Sequence, residues 1–120
     1  MRKKTLVLGA SAKPERYSYK AINMLIENNH PVVAVGAREA VVEHVKIETG
    51  SPHFDNIHTV TLYLGPRNQN NVYNYILNLN PKRIIFNPGT ENHEFMELAQ
   101  INGIEVEVAC TLVLLSTNQY

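Results

Sequence analysis

Residues 5–36 read TLVLGASAKPERYSYKAINMLIENNHPVVAVG, and this stretch decides the fold. Thr5-Leu6-Val7-Leu8 is a short apolar run that stops at Gly9, the pattern of a strand buried on both faces. Gly9 to Tyr17 is rich in small, polar and breaker residues and reads as a loop. From Tyr19 to Asn28, Ala21, Ile22, Leu25 and Ile26 recur at helical spacing. Asn28-Asn29-His30-Pro31 ends that helix, because the residue before a proline disfavours the α region. Val32-Val33-Ala34-Val35 is a second buried strand, closed by Gly36. Strand, loop, helix and strand in about thirty residues form one βαβ unit with a right-handed crossover.

Outward from this unit the alternation continues. Ala37 to Ile57 is less regular, although Val45-Lys46-Ile47-Glu48 alternates and suits a short strand. Thr59 to Leu64 is the next strand, stopped by Gly65-Pro66. Val72, Tyr73, Ile76, Leu77 and Leu79 mark a second helix, which Pro81 ends. Arg83 to Asn87 is a strand before the turn Pro88-Gly89-Thr90. Phe95, Met96, Leu98, Ala99 and Ile101 suit a third helix over Glu94 to Asn102, with Gly103 as its cap. Ile104 to Val108 is a last strand, and Thr111 to Ser116 a closing helix.

The pattern predicts an α/β fold in three layers, a mostly parallel sheet of about five strands with helices on both faces. Residues 1–120 form one domain in this reading. Ligands of such folds bind outside the carboxyl ends of the strands, near the topological switch point. Those ends are Gly9–Tyr17, Gly36–Arg38, Leu64–Arg67, Asn87–Asn92 and Val108–Thr111.

Composition narrows the function classes. A chain of 120 residues with 44% hydrophobic and 18% charged residues is an ordinary globular domain rather than a disordered segment. Eleven basic and eleven acidic residues cancel, so no overall field favours nucleic acid or an anionic membrane. The lone Cys110 excludes an internal disulfide and a multi-cysteine metal site, and fits a reducing compartment. No segment reaches the ~18 apolar residues of a membrane span. The apolar run behind Met1-Arg2-Lys3-Lys4 is shorter than the ~7–15 residues of a signal-peptide core, and a cytoplasmic protein is expected. His30, His44, His53, His58 and His93 are scattered without zinc spacing. No Gly-x-Ser-x-Gly elbow is present. Neither metal nor serine catalysis is expected.

The strand-end loops carry the rest. Gly9 lets the chain turn tightly, Ser11 offers a hydroxyl, and Lys13 and Arg16 add charge beside a helix N-terminus. A phosphate or pyrophosphate would fit there, although a solvated turn explains the same residues. It is neither a P-loop nor the dinucleotide fingerprint, since Gly9 is the only glycine before Gly36. After strand two, an NAD-binding fold carries an acidic residue for the ribose. Here the residues are Gly36-Ala37-Arg38. An arginine at that point suits a phosphate on the ribose, as in NADP or CoA; the plain alternative is a surface arginine. Thr90 or Asn92 could cap the third helix. Cys110 is either a small buried hydrophobe or a thiol facing the ligand.

At these loops the chain resembles the small stand-alone CoA-binding proteins, related to the N-terminal CoA-binding domain of the succinyl-CoA synthetase alpha subunit. The resemblance runs through Gly9-Ala10-Ser11 with Pro14, Arg16 to Tyr19, Thr59 to Pro66, Pro81 to Asn92 and Glu107 to Leu115. Asn87-Pro88-Gly89-Thr90-Glu91-Asn92 and Ala109-Cys110-Thr111-Leu112 are its most specific blocks. Chains of this form occur in bacteria. The resemblance implies a Rossmann-like fold, CoA or an acyl-CoA as ligand, and no established reaction. By position, Gly9, Ser11 and Lys13 would meet the pyrophosphate, and Arg38 the 3′-phosphate. Leu64, Gly65 and Pro66 would flank the adenine or the pantetheine arm. Asn87, Gly89 and Glu91 would line the thiol end. Many relatives carry a proline after the second strand, where this chain has Gly36-Ala37-Arg38. The synthetase's catalytic histidine belongs to a second domain without counterpart here, so His93 does not inherit its role.

Three function classes follow: a CoA-binding module, an NADP-linked or acyl-CoA-processing enzyme, and a regulatory partner with a vestigial cleft. The missing glycine fingerprint weighs against a reductase.

Overall fold

The computed structural model describes residues 2–120. Seven strands and four α-helices follow one another as β1 (Thr5–Ala10), α1 (Tyr17–Glu27), β2 (Val32–Gly36), β3 (Ala40–Val42), β4 (Val45–Glu48), β5 (Thr59–Leu62), α2 (Tyr73–Leu79), β6 (Arg83–Phe86), α3 (His93–Ile101), β7 (Glu105–Val108) and α4 (Thr111–Ser116). The sheet order is β3-β4-β2-β1-β5-β6-β7. Every pairing is parallel except β3 with β4. The chain runs outward from β1 through β2 to β4, then returns to the middle and runs outward through β6 to β7. The switch point therefore lies between β1 and β5.

Alternation along β1 explains the layers. Leu6 and Leu8 face one side with Val60, Leu62, Ile84 and Phe86, and there α2 and α3 bury Ile76, Phe95 and Ala99. Val7 faces the other side with Ala34 and Ile47, under Ile22 and Leu25 of α1 and Leu115 of α4. Phe95 is wedged between Tyr73, stacked at 4.4 Å, and Phe86, edge-on at 5.8 Å. Such aromatic contacts add to the area they bury. No helix among the described residues is long and apolar enough to cross a membrane.

The α/β class and its mostly parallel, double-covered sheet match the reading of the sequence, but the strand count is corrected from about five to seven. The provisional strand at Val45–Glu48 forms, and β3 pairs with it as a hairpin. β3 has three residues, too few for a periodicity. Its turn, Glu43-His44, places Glu43 at φ 54, a conformation that Asn, Asp or Gly usually signals. Helix α1 begins two residues before Tyr19, at Tyr17, with Arg16 at its N-cap making no side-chain cap bond. Two short 3₁₀ turns, Pro66–Asn68 and Asn70–Val72, precede α2. Asn92 rather than Thr90 caps α3, its side chain accepting the Phe95 N–H at 3.2 Å.

The amino ends of the strands hold a basic cluster over which Tyr120 lies. Arg83 is buried, its Nε donates to Thr59 Oγ1 at 3.1 Å and its Nη1 to Glu107 at 3.1 Å. Its guanidinium carbon sits 4.5 Å from the centre of the Tyr120 ring. His30 Nδ1 accepts the Lys3 backbone N–H at 2.9 Å. His58 Nδ1 lies 2.7 Å from Thr59 Oγ1, the hydroxyl that also accepts from Arg83. Partial burial lowers both pKa values first. Lys3 and Arg83 then act on His30, and Arg83, Lys3 and Lys82 on His58, with Glu105 opposing. A folded value below the unfolded 6.5 gives stability that is present above 6.5 and lost as the pH falls through the lowered value. The urea midpoint should fall between pH 7.5 and pH 5, and the His30→Asn, His58→Asn double variant should flatten that slope. Equal slopes in the two proteins would exclude these rings as its source.

Candidate functional site

A cleft of about 740 Å³ opens at the carboxyl ends of the strands, over the switch point. The ends of β1, β2 and β5 crowd together beneath it. Gly9 has φ +92, and a Cβ there would lie 2.8 Å from the Tyr63 carbonyl carbon and oxygen. Gly36 has the same problem on the other side, where a Cβ would overlap the Ala10 carbonyl oxygen. β1 is irregular at this point: Leu8 pairs with Val35 and Ala10 with Gly36. Only glycine lets three backbones meet this closely. The crowding throws the chain after Ala10 out over the cleft.

The first loop is then fixed by two serines. Ser18, buried at the start of α1, accepts the Ser11 N–H at 3.1 Å, and Ser11 Oγ accepts the Lys13 N–H at 3.1 Å. The Ser11 hydroxyl keeps its own proton to donate. Lys13 and Arg16 project from this loop and Arg38 from the loop after β2; all three are exposed and line the cleft. Among the described residues none of the three enters an ion pair. Glu39 lines the same rim. Three cations without partners around a glycine-floored cleft are the donor set a phosphorylated ligand needs.

Of the residues singled out from sequence, Gly9, Ser11, Lys13, Arg16, Arg38, Leu64, Gly65 and Gly89 line this cleft together. Pro66, Asn87, Glu91 and Cys110 do not. Asn87 is buried, and its amide is engaged at both ends. Nδ2 donates to Thr61 Oγ1 at 2.7 Å and to the Leu62 carbonyl at 2.8 Å, and Oδ1 accepts the Thr111 N–H at 2.8 Å. Glu91 turns back to accept the Gly89 N–H at 2.8 Å. Cys110 is half-buried at the N-cap of α4. Tyr63 lines the cleft as well, and burial pushes its hydroxyl up to about 12. It stays a neutral phenol across the physiological range. Among the described residues no group of three His, Cys, Asp or Glu side chains is placed to hold a metal ion.

One residue of this region has no signal in the sequence. Gln69, between the two 3₁₀ turns, is fully buried. It joins the loop after β5 to the loop after β6. A glutamine in an irregular segment looks like solvated loop, and only the adjacency of β5 and β6 in the sheet gives it something to bridge.

A doubly covered, mostly parallel sheet with a cleft at its switch point defines a class by fold: the Rossmann-like α/β domains. Comparison with known proteins narrows this. The chain belongs to the CoA binding domain family, whose model matches residues 3–116. The crystal structure of an uncharacterised protein shares 46% identity with a TM-score of 0.97, over 100% of this chain and 99% of that one. A hypothetical protein from Pyrococcus horikoshii OT3 shares 26% identity with a TM-score of 0.83, over 93% of this chain and 80% of that one. A Thermus thermophilus structure at 22% identity, with a TM-score of 0.80 over 99% and 91% of the two chains, shares the fold. No curated protein matches the sequence.

Proposed function

We propose that residues 1–120 form one module that binds CoA or an acyl-CoA in the switch-point cleft, in the cytoplasm. The observation that carries this is the set of unpaired cations, Lys13, Arg16 and Arg38, around a cleft in a chain of the CoA binding domain family. In this reading Gly9, Ser11 and Lys13 take the pyrophosphate with the loop amides, and Arg38 takes the 3′-phosphate. Leu64 and Gly65 flank the adenine or the pantetheine arm with Pro66 just outside the cleft, and Gly89, held by Glu91, borders the thiol end. Asn87 acts there through the loop it braces.

Thermal unfolding with CoA, dephospho-CoA, NADP and NAD tests the reading. A ligand that binds only the native state adds RT ln(1 + [L]/Kd), ~2.7 kcal/mol at one hundred times Kd. CoA should raise the melting temperature, and dephospho-CoA should raise it less. Arg38→Ala should erase the difference between them and cost about tenfold in CoA affinity, the worth of one charge-assisted phosphate contact. Lys13→Ala should weaken both ligands alike. A shift with NADP alone favours the reductase reading, for which Arg38 would hold a 2′-phosphate. No shift with any of the four removes the ligand reading and leaves that of a partner protein.

A further inference from the structure

We propose that Gln69 is a positioning residue that sets the gap between the Leu64 and Thr90 loops and thereby tunes ligand affinity. The inference rests on the reading of the cleft as a CoA site.

The geometry is complete for a clamp. Gln69 Nε2 has two protons and spends both on carbonyls of cleft-lining residues, Leu64 at 2.9 Å and Thr90 at 2.8 Å. Its Oε1 accepts from Asn92 Nδ2 at 3.0 Å. The other Asn92 proton goes to the Tyr73 hydroxyl at 2.8 Å, and that hydroxyl donates to Glu94 at 3.0 Å. Asn92 Oδ1 meanwhile caps α3. One buried amide thus ties the loop after β5, the loop after β6 and the start of α3 into a single unit. Among the described residues no other side-chain hydrogen bond joins Leu64 to Thr90 across this gap. A buried amide with every proton committed has one low-energy arrangement, and the loops inherit it. A cleft wall held at fixed width before the ligand arrives loses less freedom on binding.

Two variants separate this role from plain stability. In Gln69→Ala both carbonyls lose their donor. In Gln69→Glu the new carboxyl, when ionised, faces two carbonyl oxygens with nothing to donate; when protonated it restores one bond. CoA affinity should fall on the order of tenfold in Gln69→Ala, measured by calorimetry at a temperature where circular dichroism shows it folded. For Gln69→Glu the ratio of variant to wild-type Kd should rise from pH 5.5 to pH 8; taking the ratio cancels the ligand's own titration. Amide hydrogen exchange without ligand should quicken over residues 63–72 and 88–95 in Gln69→Ala. Folded variants whose Kd equals the wild type's, with a flat ratio against pH, would overturn the proposal while leaving CoA binding intact. Unchanged exchange in those segments would overturn the clamp itself. A wild-type protein that takes up no CoA overturns the ligand reading and the tuning role together, and the exchange data then report a purely structural clamp.

Discussion

Replacing Gly36 with alanine should destabilise the protein by roughly 3 kcal/mol, at the upper end of what overpacking costs. The reason is the partner in the collision. The added methyl would overlap the Ala10 carbonyl oxygen, and would also lie 3.1 Å from the Ala10 carbonyl carbon and from Ile47 Cγ2. A flexible side chain could swing away from such a contact. The Ala10 carbonyl belongs to β1, the strand that pairs on both edges, with β2 and β5. Relief requires the ends of β1 and β2 to part, under the loop that carries Ser11 and Lys13. The variant should therefore lose ligand affinity even under conditions where it is folded. Gly65→Ala is the control, since it has no positive φ and a Cβ there meets nothing within 4 Å. Chemical denaturation of both variants checks the claim. A Gly36→Ala midpoint equal to that of Gly65→Ala would show that the strand ends are not packed this tightly.

The first βαβ unit was legible because its signals are local. Four apolar residues, a glycine, an amphipathic helix and a proline stop each act within a few positions. Gly9 and Gly36 were legible as strand stops; their reason was not. It lies in the Tyr63 backbone and the Ala10 carbonyl, which only the assembled sheet brings near them. Asn92 was legible as one of two caps, because a cap acts three residues away. Asn87 and Gln69 illustrate the opposite case. Both are polar residues in loops, the usual signature of ligand contact or solvent. The fold buries both and uses their amides to join segments about twenty or more positions apart, from Thr61 to Thr111 and from Leu64 to Thr90. Nothing in one sequence separates a buried bridging amide from an exposed one until the neighbouring strands are known. Arg83 is a third example. Read as the first residue of a strand, it is a buried cation braced by Thr59 and Glu107 under the Tyr120 ring.

That division matters for the cleft. Its floor is glycine and backbone, its rim is exposed cations, and its walls are held apart by buried amides behind them. In the CoA reading, substitutions on the rim should change which phosphates are held. Substitutions behind the walls should change the shape of the cleft, and with it the affinity for every ligand that enters.

Asn87 is the strongest case of the second kind, and Asn87→Ala should cost about 3 kcal/mol. Three buried groups lose a partner at once: the Thr61 hydroxyl, the Leu62 carbonyl and the Thr111 N–H. Each unsatisfied buried group costs ~1–3 kcal/mol. Thr61 and Thr111 still hold each other at 2.8 Å, which puts the sum near the low end. The melting temperature should fall by on the order of 10 °C. Asn87→Asp refines the test. It keeps an acceptor for the Thr111 N–H but removes the two protons that Leu62 and Thr61 face. At neutral pH it buries a charge against a carbonyl oxygen, with only hydroxyl and amide protons to stabilise it. The folded state therefore raises the pKa of the new carboxyl above its unfolded value. Stability from the protonated form is present at low pH and is lost as the pH rises through the raised value. Relative to wild type, Asn87→Asp should worsen from pH 5 to pH 8, opposite in sign to the effect of His30 and His58. A variant equally stable relative to wild type at both pH values would mean that water reaches this amide, and that the loop after β6 is not braced from within.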